Sequence, residues 1–560
     1  MDQAIIECVP NFSEGRDPAI LEAIAKEIRS VAGVSLLDID PGKDTNRTVF
    51  TFAGAPEPVI EAAYRAIGKA AELIDMSKHQ GAHPRMGATD VCPLIPVSGI
   101  SLAETAHFAN QLAMRVATDF QIPVYLYEEA ATKPERKNLS TIRSGEYEGL
   151  QDKLKDPEWK PDYGEAVFNP RSGATVIGAR DFLIAYNINL NTANVKKANS
   201  IAFDVRENGR VKKVNGQVQL DNTGQPLREP GKLKNVKAIG WYIEEYGFAQ
   251  ISMNLTNPNV TPMHEAFESV VEAAEMRGVR VTGSELVGMV PKYALLEAGK
   301  YFIIKQKGNP GIPEKELIRI AVRSLGLEEL GSFDIEKKVI EYAIRNKTDT
   351  ALLNLSLEAY ADATSADTPA PGGGSAAAYT GALGISLAGM VAGLSMAKKG
   401  YESKWKKFST ASIKAQQFKQ TLLGLVDADT AAFNSIIKAI RMPKENDEDK
   451  AKRNDAIHNA TKNAIQVPLS TMKTAAEALS INLLMMEEGN PSSFSDAAVG
   501  ALCLHTAVEG AYYNVKTNLK DITEDELYTL QINQEIEEIR TEVRKKMEKI
   551  NLKVNAFLAQ

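Results

Sequence analysis

The stretch Arg345-Asn346-Lys347-Thr348-Asp349-Thr350 divides the chain into two parts with different hydrophobic patterns. Its polar residues predict a linker, because such a run supplies no apolar face to a helix or a strand. On its N-terminal side strand and helix patterns alternate, whereas on its C-terminal side almost all of the periodicity is helical. The sequence therefore predicts two unlike architectures joined at residues 345–350.

The part before the linker is predicted to form two subdomains of the α/β (α+β) class, residues 1–182 and 183–344. Short apolar runs bounded by turn residues alternate with amphipathic stretches, which is the pattern of strands between helices. The predicted strands are residues 34–39, 48–53, 124–127, 182–189, 236–242, 249–255 and 279–287, and the predicted helices are 18–31, 57–73 and 263–277. Two such layers in tandem imply a cleft between them, which is a common place for a ligand.

The part after the linker, residues 351–560, is predicted to be an all-α helical bundle. Its predicted helices are residues 351–363, 375–398, 403–440, 447–488, 495–518 and 523–558. Residues 376–397 are uncharged over about 22 residues, which is long enough to span a bilayer. Their Ala, Gly and Ser side chains allow close helix packing, so we expect a buried helix and no membrane span. A second activity and a helical oligomerisation domain both fit this organisation.

The composition limits the class of protein. The chain has 560 residues, 44% of them hydrophobic and 24% charged, which is ordinary for a globular protein. A net charge of −7 disfavours a nucleic-acid partner. The 3 cysteines are far apart in sequence, so they form neither a disulfide framework nor a zinc motif. We expect a cytoplasmic protein without a secretory signal and without a metal site.

Residues 78–91 hold two of the 6 histidines, His79 and His83, beside Arg85. Histidine is the side chain whose proton exchanges near neutral pH. Pro84 and Gly87 prevent a continuous helix, so this stretch is predicted to be a loop. A histidine on a loop beside a cation and an acid is typical of acid–base catalysis, although a surface loop has the same composition.

Polar residues also follow the first predicted strands. Asn11 comes after the first apolar run, Asp40 follows the predicted strand 34–39, and Arg47 comes shortly after it. A carboxylate such as Asp40 can orient an imidazole, and Arg47 or Arg85 can hold a substrate carboxylate bidentately. Asn11, Arg47 and Arg85 are therefore substrate-binding candidates. Turn chemistry explains the same residue types, because Asn, Asp and Gly are common at strand ends.

In the helical part a glycine-rich turn precedes the small-residue helix. The turn contains Gly372, Gly373 and Gly374, followed by Ser375. Free backbone N–H groups at a helix N-terminus favour an anion, so these four residues are substrate-binding candidates. A glycine turn that permits tight helix packing fits the pattern equally well.

Three acids of the helical part are candidates for chemistry. Asp427 and Asp429 lie in one predicted helix, where side chains two residues apart point about 200° apart, so at most one faces a given pocket. A carboxylate in such a helix is either solvated or functional, because its burial without a partner is costly. Asp496 follows a predicted N-cap and is a further substrate-binding candidate.

These motifs together resemble the bifunctional formimidoyltransferase-cyclodeaminase family, and the resemblance covers essentially the whole length. The matching motifs occur in one order along the chain, at residues 8–15, 45–49, 83–88, 124–127, 173–176, 240–242, 370–375, 426–429 and 518–521. A longer polar loop at 206–236, with Asn-Gly and Thr-Gly pairs that predict hairpins or an exposed loop, departs from the family.

The resemblance implies a transferase of two α/β subdomains and a helical deaminase that assemble as an octamer built from dimers. It implies transfer of a formimidoyl group from N-formimidoyl-L-glutamate to polyglutamylated tetrahydrofolate, then ring closure with release of ammonia. By resemblance His83 is the transferase's catalytic histidine and Asp429 the deaminase's catalytic acid. The folate-binding segment implied by the resemblance is Gly164, Glu165, Ala166, Val167, Phe168, Asn169, Pro170, Arg171, Ser172 and Gly173.

Two alternatives remain open from the sequence. One is a related transferase that uses formylglutamate, because both donors share the glutamate moiety. The other is a non-catalytic folate-binding scaffold. Two basic clusters predict anchors for an acidic glutamate tail, or solvated surface: Lys398, Lys399, Lys404, Lys406 and Lys407, and Lys212, Lys213, Arg228, Lys232, Lys234 and Lys237.

Overall fold

The computed structural model describes residues 4–43, 45–81, 84–344, 352–522 and 525–559. The chain forms two compact units, one of Met1–Ala298 with Ala321–Arg345 and one of Gly299–Ile320 with Asn346–Gln560. The predicted linker 345–350 and the predicted catalytic histidine, His83, lie outside the described residues. The second unit includes a segment, Gly299–Ile320, that precedes the predicted linker, and the domain boundaries at 182 and 344 stay predictions.

The first unit begins with a seven-stranded mixed sheet. Its strands are β1 (Ile5–Cys8), β2 (Asn11–Phe12), β3 (Val34–Gly42), β4 (Arg47–Gly54), β5 (Thr89–Ser98), β6 (Val124–Glu128) and β7 (Thr175–Ala179). The β1 and β2 segments both lie between β4 and β5, β3 is at one edge, and β7 and β6 follow β5 as parallel neighbours. The helices of this part are α1 (Pro18–Arg29), α2 (Pro56–Leu73), α3 (Leu102–Phe120), α4 (Leu139–Ile142) and α5 (Leu150–Lys153).

The two faces of this sheet have different covers, as strand alternation requires. On one face Cys92 and Leu94 of β5 join the core formed with α1, α2 and α3, where the free thiols of Cys8 and Cys92 lie 3.5 Å apart. On the other face Val91 packs with residues of α4 and α5. This second core holds Ile142, Leu150 and Leu154 against the face of the sheet that carries Val91 and Val176.

Two details of this sheet differ from the sequence prediction. The strand at 34–39 is predicted to be buried, but β3 is a half-exposed edge strand that continues to Gly42. The central strand β5 is not predicted, because Pro93 and Pro96 normally confine a strand to the sheet edge. In β5 the prolines are accommodated between β1 and β7, and the carbonyl of Pro93 accepts a hydrogen bond from the backbone N–H of Val9 (3.1 Å).

A second, antiparallel sheet lies in the same unit, with strands in the order β13, β14, β8 and β15. Its strands are β8 (Ile184–Leu190), β13 (Val236–Ile243), β14 (Phe248–Leu255) and β15 (Val281–Val287), and its helices are α6 (Val195–Val205) and α7 (Met263–Glu275). Between α6 and β13 the short strands β9 (Arg210–Val211), β10 (Lys213–Val214), β11 (Gln217–Val218) and β12 (Arg228–Glu229) confirm the predicted hairpins. The helices α8 (Lys292–Lys305), α9 (Glu314–Leu325), α10 (Ile335–Lys338) and α11 (Ile340–Ala343) follow.

The second unit confirms the predicted helical bundle. Its helices are α12 (Leu357–Ser365), α13 (Gly373–Met396), α14 (Trp405–Ile440), α15 (Asp447–Glu488), α16 (Phe494–Leu519) and α17 (Glu526–Leu558). The small-residue helix α13 packs against α14, α15 and α16. A side chain at Gly384 would lie 2.6 Å from the carbonyl oxygen of Gly500, so glycine permits the close approach of α13 and α16. By length and composition α13 also fits a membrane span, and 56% of its most apolar window is buried within the protein.

Candidate active sites

Asn46 connects three loops of the first unit. Its side-chain oxygen accepts a hydrogen bond from the backbone N–H of Gly15 (3.0 Å), and its side-chain nitrogen donates to the carbonyl of Gln80 (3.1 Å). Its own carbonyl lies 2.9 Å from Nε2 of His79. Asn46 has a φ of 48°, in the left-handed region that Asn tolerates better than most residues. The loops that carry the sequence candidates Asn11, Arg47 and Arg85 are thereby held together.

His79 is held as a neutral imidazole. The guanidinium Nε of Arg85 donates to Nδ1 of His79 (3.2 Å), so Nε2 carries the proton that is donated to the Asn46 carbonyl. Burial lowers the pKa of His79, and the nearby charge of Arg85 lowers it further, against the opposing effect of the Asn46 bond. Because both ring nitrogens are engaged, His79 has a structural role in this arrangement.

Arg47 joins Asn11 to a buried carboxylate, Asp90, that the sequence analysis did not select. Arg47 donates to the side-chain oxygen of Asn11 through Nε (3.0 Å) and through an Nη nitrogen (2.7 Å), and its other Nη nitrogen pairs with Asp90. Arg143 donates to the same carboxylate at 2.5 and 3.3 Å. Asp90 is fully buried. Burial lowers the pKa of Arg47, the pairing with Asp90 opposes that shift, and the nearby charge of Arg143 adds to it.

Arg85 is engaged elsewhere. Its guanidinium donates to both carboxylate oxygens of Glu148 (2.7 and 2.9 Å) and to Glu146 (3.1 Å). The guanidinium is buried, whereas Glu148 is exposed at the surface. These bonds raise the pKa of Arg85, Glu148 contributing most. Of the two arginines considered for a substrate carboxylate, Arg47 lies beside a second guanidinium, that of Arg143, whereas Arg85 is bound to two glutamates.

The predicted contact between Asp40 and His83 cannot be described, because His83 is outside the described residues. Asp40 itself lies near the end of β3, opposite Val49 of β4, and its side chain is exposed. Within the described ranges no hydrogen bond or ion pair involves the Asp40 side chain. Its role as an orienter of His83 stays a prediction.

The predicted folate-binding segment, residues 164–173, adjoins the loop that follows the histidines. The carbonyl of Ser172 accepts from the backbone N–H of Ala88 (2.8 Å), and a side chain at Gly173, whose φ is 65°, would lie 2.1 Å from the carbonyl of Met86. The Phe168 ring lies 5.5 Å from that of Tyr147. Residues 164–167 are exposed. One end of the segment is thus fixed to residues 86–88, while its start is open to solvent.

In the second unit the glycine-rich turn meets Asp429. A carboxylate oxygen of Asp429 accepts from the backbone N–H (3.0 Å) and the hydroxyl (3.3 Å) of Ser375. A side chain at Gly374 would lie 2.1 Å from the other carboxylate oxygen. The α13 N-terminus therefore binds a carboxyl group of the chain itself, and glycine at 374 permits its close approach, while a substrate-binding role of residues 372–375 stays a prediction. Burial raises the pKa of Asp429, and the bonds from Ser375 oppose that shift.

Other residues join this cluster from different helices. Asp427 accepts from the backbone N–H of Leu352 (2.7 Å), and burial raises its pKa. The ring of Tyr360 of α12 lies tilted against that of Tyr379 (5.4 Å between ring centres), and the buried Tyr360 hydroxyl has no hydrogen-bond partner among the described residues. Burial raises the pKa of Tyr360 most, and the neighbouring Tyr379, Asp429 and Asp427 raise it further. Tyr360 belongs to no recognisable sequence motif. It is far from Asp429 along the chain, so sequence analysis does not reveal that the two residues are close in the fold.

Asp496 does not join this cluster within the chain. It lies in the first turn of α16, whereas Asn514, beside Gly373, lies near the other end of the same helix. The separation of 18 residues corresponds to about 27 Å along a helix. Among the described residues no group of three or more His, Cys, Asp or Glu side chains is arranged to hold a metal ion.

An α/β unit with a paired-arginine site and a helical unit with a half-buried aspartate define a two-site enzyme. Residues 5–180 match the family model of the formiminotransferase domain, N-terminal subdomain, residues 185–345 that of the formiminotransferase domain, and residues 356–538 that of formiminotransferase-cyclodeaminase. The chain is 42% identical over 549 residues to formimidoyltransferase-cyclodeaminase of Dictyostelium discoideum, covering 98% of each chain. It therefore belongs to the formimidoyltransferase-cyclodeaminase family, which confirms the resemblance and the predicted fold class.

Further relatives show the same relationship. The formimidoyltransferase-cyclodeaminase of Mus musculus is 42% identical over 522 residues, which is 93% of each chain. The glutamate formimidoyltransferase of Streptococcus pyogenes is 40% identical over 299 residues, which is 53% of this chain and 93% of that protein. A chain of the transferase type thus exists alone, which is consistent with two activities joined in this protein.

Proposed function

We propose that this protein transfers the formimidoyl group of N-formimidoyl-L-glutamate to tetrahydrofolate and then closes the product to 5,10-methenyltetrahydrofolate with release of ammonia. In this proposal it acts in histidine degradation. The observation that carries the proposal is the near full-length similarity to two-activity relatives, combined with a polar site in each unit. Folate enters as co-substrate, and neither step as proposed requires a metal.

In the first step N5 of tetrahydrofolate attacks the formimidoyl carbon, and the bond from that carbon to the glutamate nitrogen breaks. His83 takes the N5 proton and returns it to the departing nitrogen. The engagement of both ring nitrogens of His79 supports this assignment, because His83 is then the remaining histidine of the motif. Asp40 stays the candidate for orienting His83, and residues 164–173 stay the candidate folate-binding segment.

The donor's glutamate carboxylate requires a cation near this step. We assign it to the neighbouring guanidinium groups of Arg47 and Arg143, which both pair with Asp90. An added carboxylate would offset their mutual repulsion and could accept bidentate hydrogen bonds. Arg85 is a weaker candidate, because two glutamates already neutralise it.

In the second step N10 of 5-formimidoyltetrahydrofolate closes on the same carbon and ammonia leaves. Asp429 takes the N10 proton and delivers it to the departing nitrogen. A raised pKa supports this role, because a carboxyl group that shuttles a proton works best when its pKa approaches the operating pH. The unpaired Tyr360 hydroxyl is available to hydrogen-bond a substrate at this position.

We further propose a cytoplasmic homo-oligomer, an octamer built from dimers, that uses polyglutamylated folate. Exposed apolar side chains on the bundle support an association through the helical unit. They are Leu383, Met390 and Leu394 of α13 and Val499 and Leu502 of α16. Contiguous exposed apolar surface is uncommon on a monomer and fits a second copy of the chain.

The proposal is tested by measuring methenyltetrahydrofolate absorbance and ammonia with each donor. We expect one ammonia per methenyltetrahydrofolate with N-formimidoylglutamate and no comparable turnover with N-formylglutamate. Turnover of the formyl donor without ammonia would instead assign a formyltransferase. Folate binding without turnover of either donor would assign a scaffold.

A further inference from the structure

One face of the second sheet carries polar side chains where a covered sheet is normally apolar. The opposite face packs on α6, since a side chain at Gly240 would meet the backbone of Ala198 and Asn199. Strand pairing places two rows of residues on the face away from α6. The first row is Trp241, Gln250, Asn189 and Gly283, and the second row is Ile239, Ser252, Asn187 and Glu285. We name this surface the Glu285 face.

The amides of the Glu285 face are buried and hydrogen-bonded, and the side-chain nitrogen of Asn189 donates to the carboxylate of Glu329 (2.6 Å). Asn189 and Gln250 are fully buried, and Asn187 is nearly so. Gln250 donates to the side-chain oxygen of Asn189 (2.8 Å) and accepts from the indole N–H of Trp241 (3.2 Å). Buried amides need such partners, and the resulting network fixes the direction of each side chain. A preorganised set of polar groups of this kind is what recognition of a polar ligand requires.

The network converges on the carboxylate of Glu285. One oxygen accepts from the side-chain nitrogens of Asn187 (3.1 Å) and Gln250 (3.2 Å), and the other accepts from the hydroxyl of Tyr246 (3.3 Å). Glu285 is only half-buried. Two carboxylate oxygens offer about four acceptor positions, so the group retains capacity to accept N–H donors from a ligand.

Apolar side chains are exposed elsewhere on the Glu285 face. Val287 follows Glu285 along β15 and is 50% exposed, whereas Trp241 and Ile239, 40% and 51% exposed, belong to the opposite edge strand β13. Large apolar side chains on the same face as a fixed carboxylate suit a planar heterocycle whose edge carries two N–H groups. The 2-amino-4-oxopyrimidine ring of a pterin has this edge, at N3 and the 2-amino group.

We propose that the Glu285 face binds the pterin ring of the folate co-substrate, with Glu285 accepting hydrogen bonds from N3–H and the 2-amino group. The inference rests on the proposed use of tetrahydrofolate and adds the residues that select its ring. Asn187 and Gln250 orient the carboxylate, and Trp241 supplies apolar contact with the ring. The amidine of the donor also carries two N–H groups, but it lacks a ring to contact Trp241 and Val287.

The test is a chemical cycle on the full-length protein. Binding of 5-formyltetrahydrofolate and of its 2-desamino analogue is measured for the wild type and for Glu285→Gln. We expect the substitution to weaken binding of the 2-amino ligand about tenfold or more, because it removes a charge-assisted pair. Binding of the 2-desamino ligand should weaken by a clearly smaller factor, because that ligand keeps only one of the two donors to Glu285.

Matched variants complete the test. Glu244→Gln removes an exposed carboxylate from the β13–β14 turn and should bind both ligands as the wild type does. If Glu285→Gln does not fold, Tyr246→Phe is used, because it removes one hydrogen bond to the same carboxylate. This variant should selectively weaken binding of the 2-amino ligand, by a smaller factor than is expected for Glu285→Gln. The inference would be overturned if Glu285→Gln weakened binding of both folate ligands equally, or if it weakened binding of N-formimidoylglutamate instead. Failure of the wild type to bind 5-formyltetrahydrofolate would contradict the proposed function itself.

Discussion

At the scale of single residues the sequence identified groups but not their partners. Asn11 and Arg47 were selected as separate candidates, and the structure joins them directly. Asp90 and Arg143 were not selected as site residues, because their roles depend on a contact between residues 53 positions apart. Local spacing predicts which residue types come together on a loop, whereas tertiary packing decides which cation meets which acid.

The close approach at Gly374 gives a residue-scale prediction. Gly374→Ala places a methyl group 2.1 Å from a carboxylate oxygen of Asp429, so that carboxylate must move. We expect deaminase turnover to fall about 100-fold, within the range for a displaced general acid or base, while transferase turnover is retained. The control is Gly373→Ala, whose nearest neighbour, Nδ2 of Asn514, is at an ordinary 3.6 Å. Equal effects of the two substitutions on ammonia release would show that this approach is unimportant.

The pKa of Asp429 gives a second residue-scale prediction. Because burial raises this pKa, the folded state favours the protonated acid, and its ionisation as pH rises costs stability. Asp429→Asn cannot ionise, so its unfolding midpoint should exceed that of the wild type by a margin that grows from acidic to neutral pH. Deaminase turnover of the same variant should fall about 10²- to 10⁴-fold. Denaturant unfolding across that pH range measures the margin, and a margin that shrinks with rising pH contradicts the assignment.

At the scale of elements, hydrophobic periodicity predicted the long helices of the bundle and the strands β3, β4, β6, β8, β13, β14 and β15. The helix at 447–488 has the predicted bounds. The strand β5 was missed because two prolines oppose the local pattern, and only its neighbours in the sheet stabilise it. The polar character of the Glu285 face was also hidden, because it requires knowledge of which strands pair and in which register.

The basic start of α14 gives an element-scale prediction. Lys406, Lys407 and Lys414 line a cavity of about 610 Å³, and Lys407 is already paired with Glu488, as is Lys404 at 3.5 Å. Lys406 and Lys414 have no ion pair among the described residues, so they are the cations available to an acidic tail. Replacing both with Gln should reduce the preference for polyglutamylated over monoglutamylated substrate, most strongly at low salt.

The matched control for that variant is Lys399→Gln, which removes an exposed lysine outside the cavity. Competition between the two substrate forms at two salt concentrations gives the preference directly. An undiminished preference in the Lys406/Lys414 variant at low salt would exclude this cavity as the tail site.

At the scale of the whole molecule, the change of pattern at residues 345–350 predicted two architectures but not the full extent of the second unit. The segment Gly299–Ile320 belongs to that unit, where Asn309 donates to the hydroxyl of Ser412 (3.0 Å) and that hydroxyl donates to the carbonyl of Gly311 (2.8 Å). Such contacts cross a sequence separation of about 100 residues, which no local pattern reveals.

Dividing the chain tests this organisation. A protein ending at Ile344 should keep transferase turnover, and one beginning at Leu352 should keep deaminase turnover only if it can dimerise. The second protein should also unfold at lower denaturant than the helical unit of the full chain, because it lacks the contacts to Ser412. Ser412→Ala in the full chain should lower the free energy of unfolding of the helical unit by about 1 kcal/mol for each hydrogen bond removed. A fragment from Leu352 as stable as the intact unit would contradict this account.

The central claim is that one chain holds two separate acid–base sites, and a pair of variants tests it most directly. His83→Ala and Asp429→Ala are each assayed alone and then mixed, with N-formimidoylglutamate and tetrahydrofolate supplied and methenyltetrahydrofolate absorbance followed. We predict that each variant alone forms little product, that His83→Ala still converts supplied 5-formimidoyltetrahydrofolate, and that the mixture restores the overall reaction. Loss of both activities in either correctly folded variant, or no restoration on mixing, would contradict two independent sites.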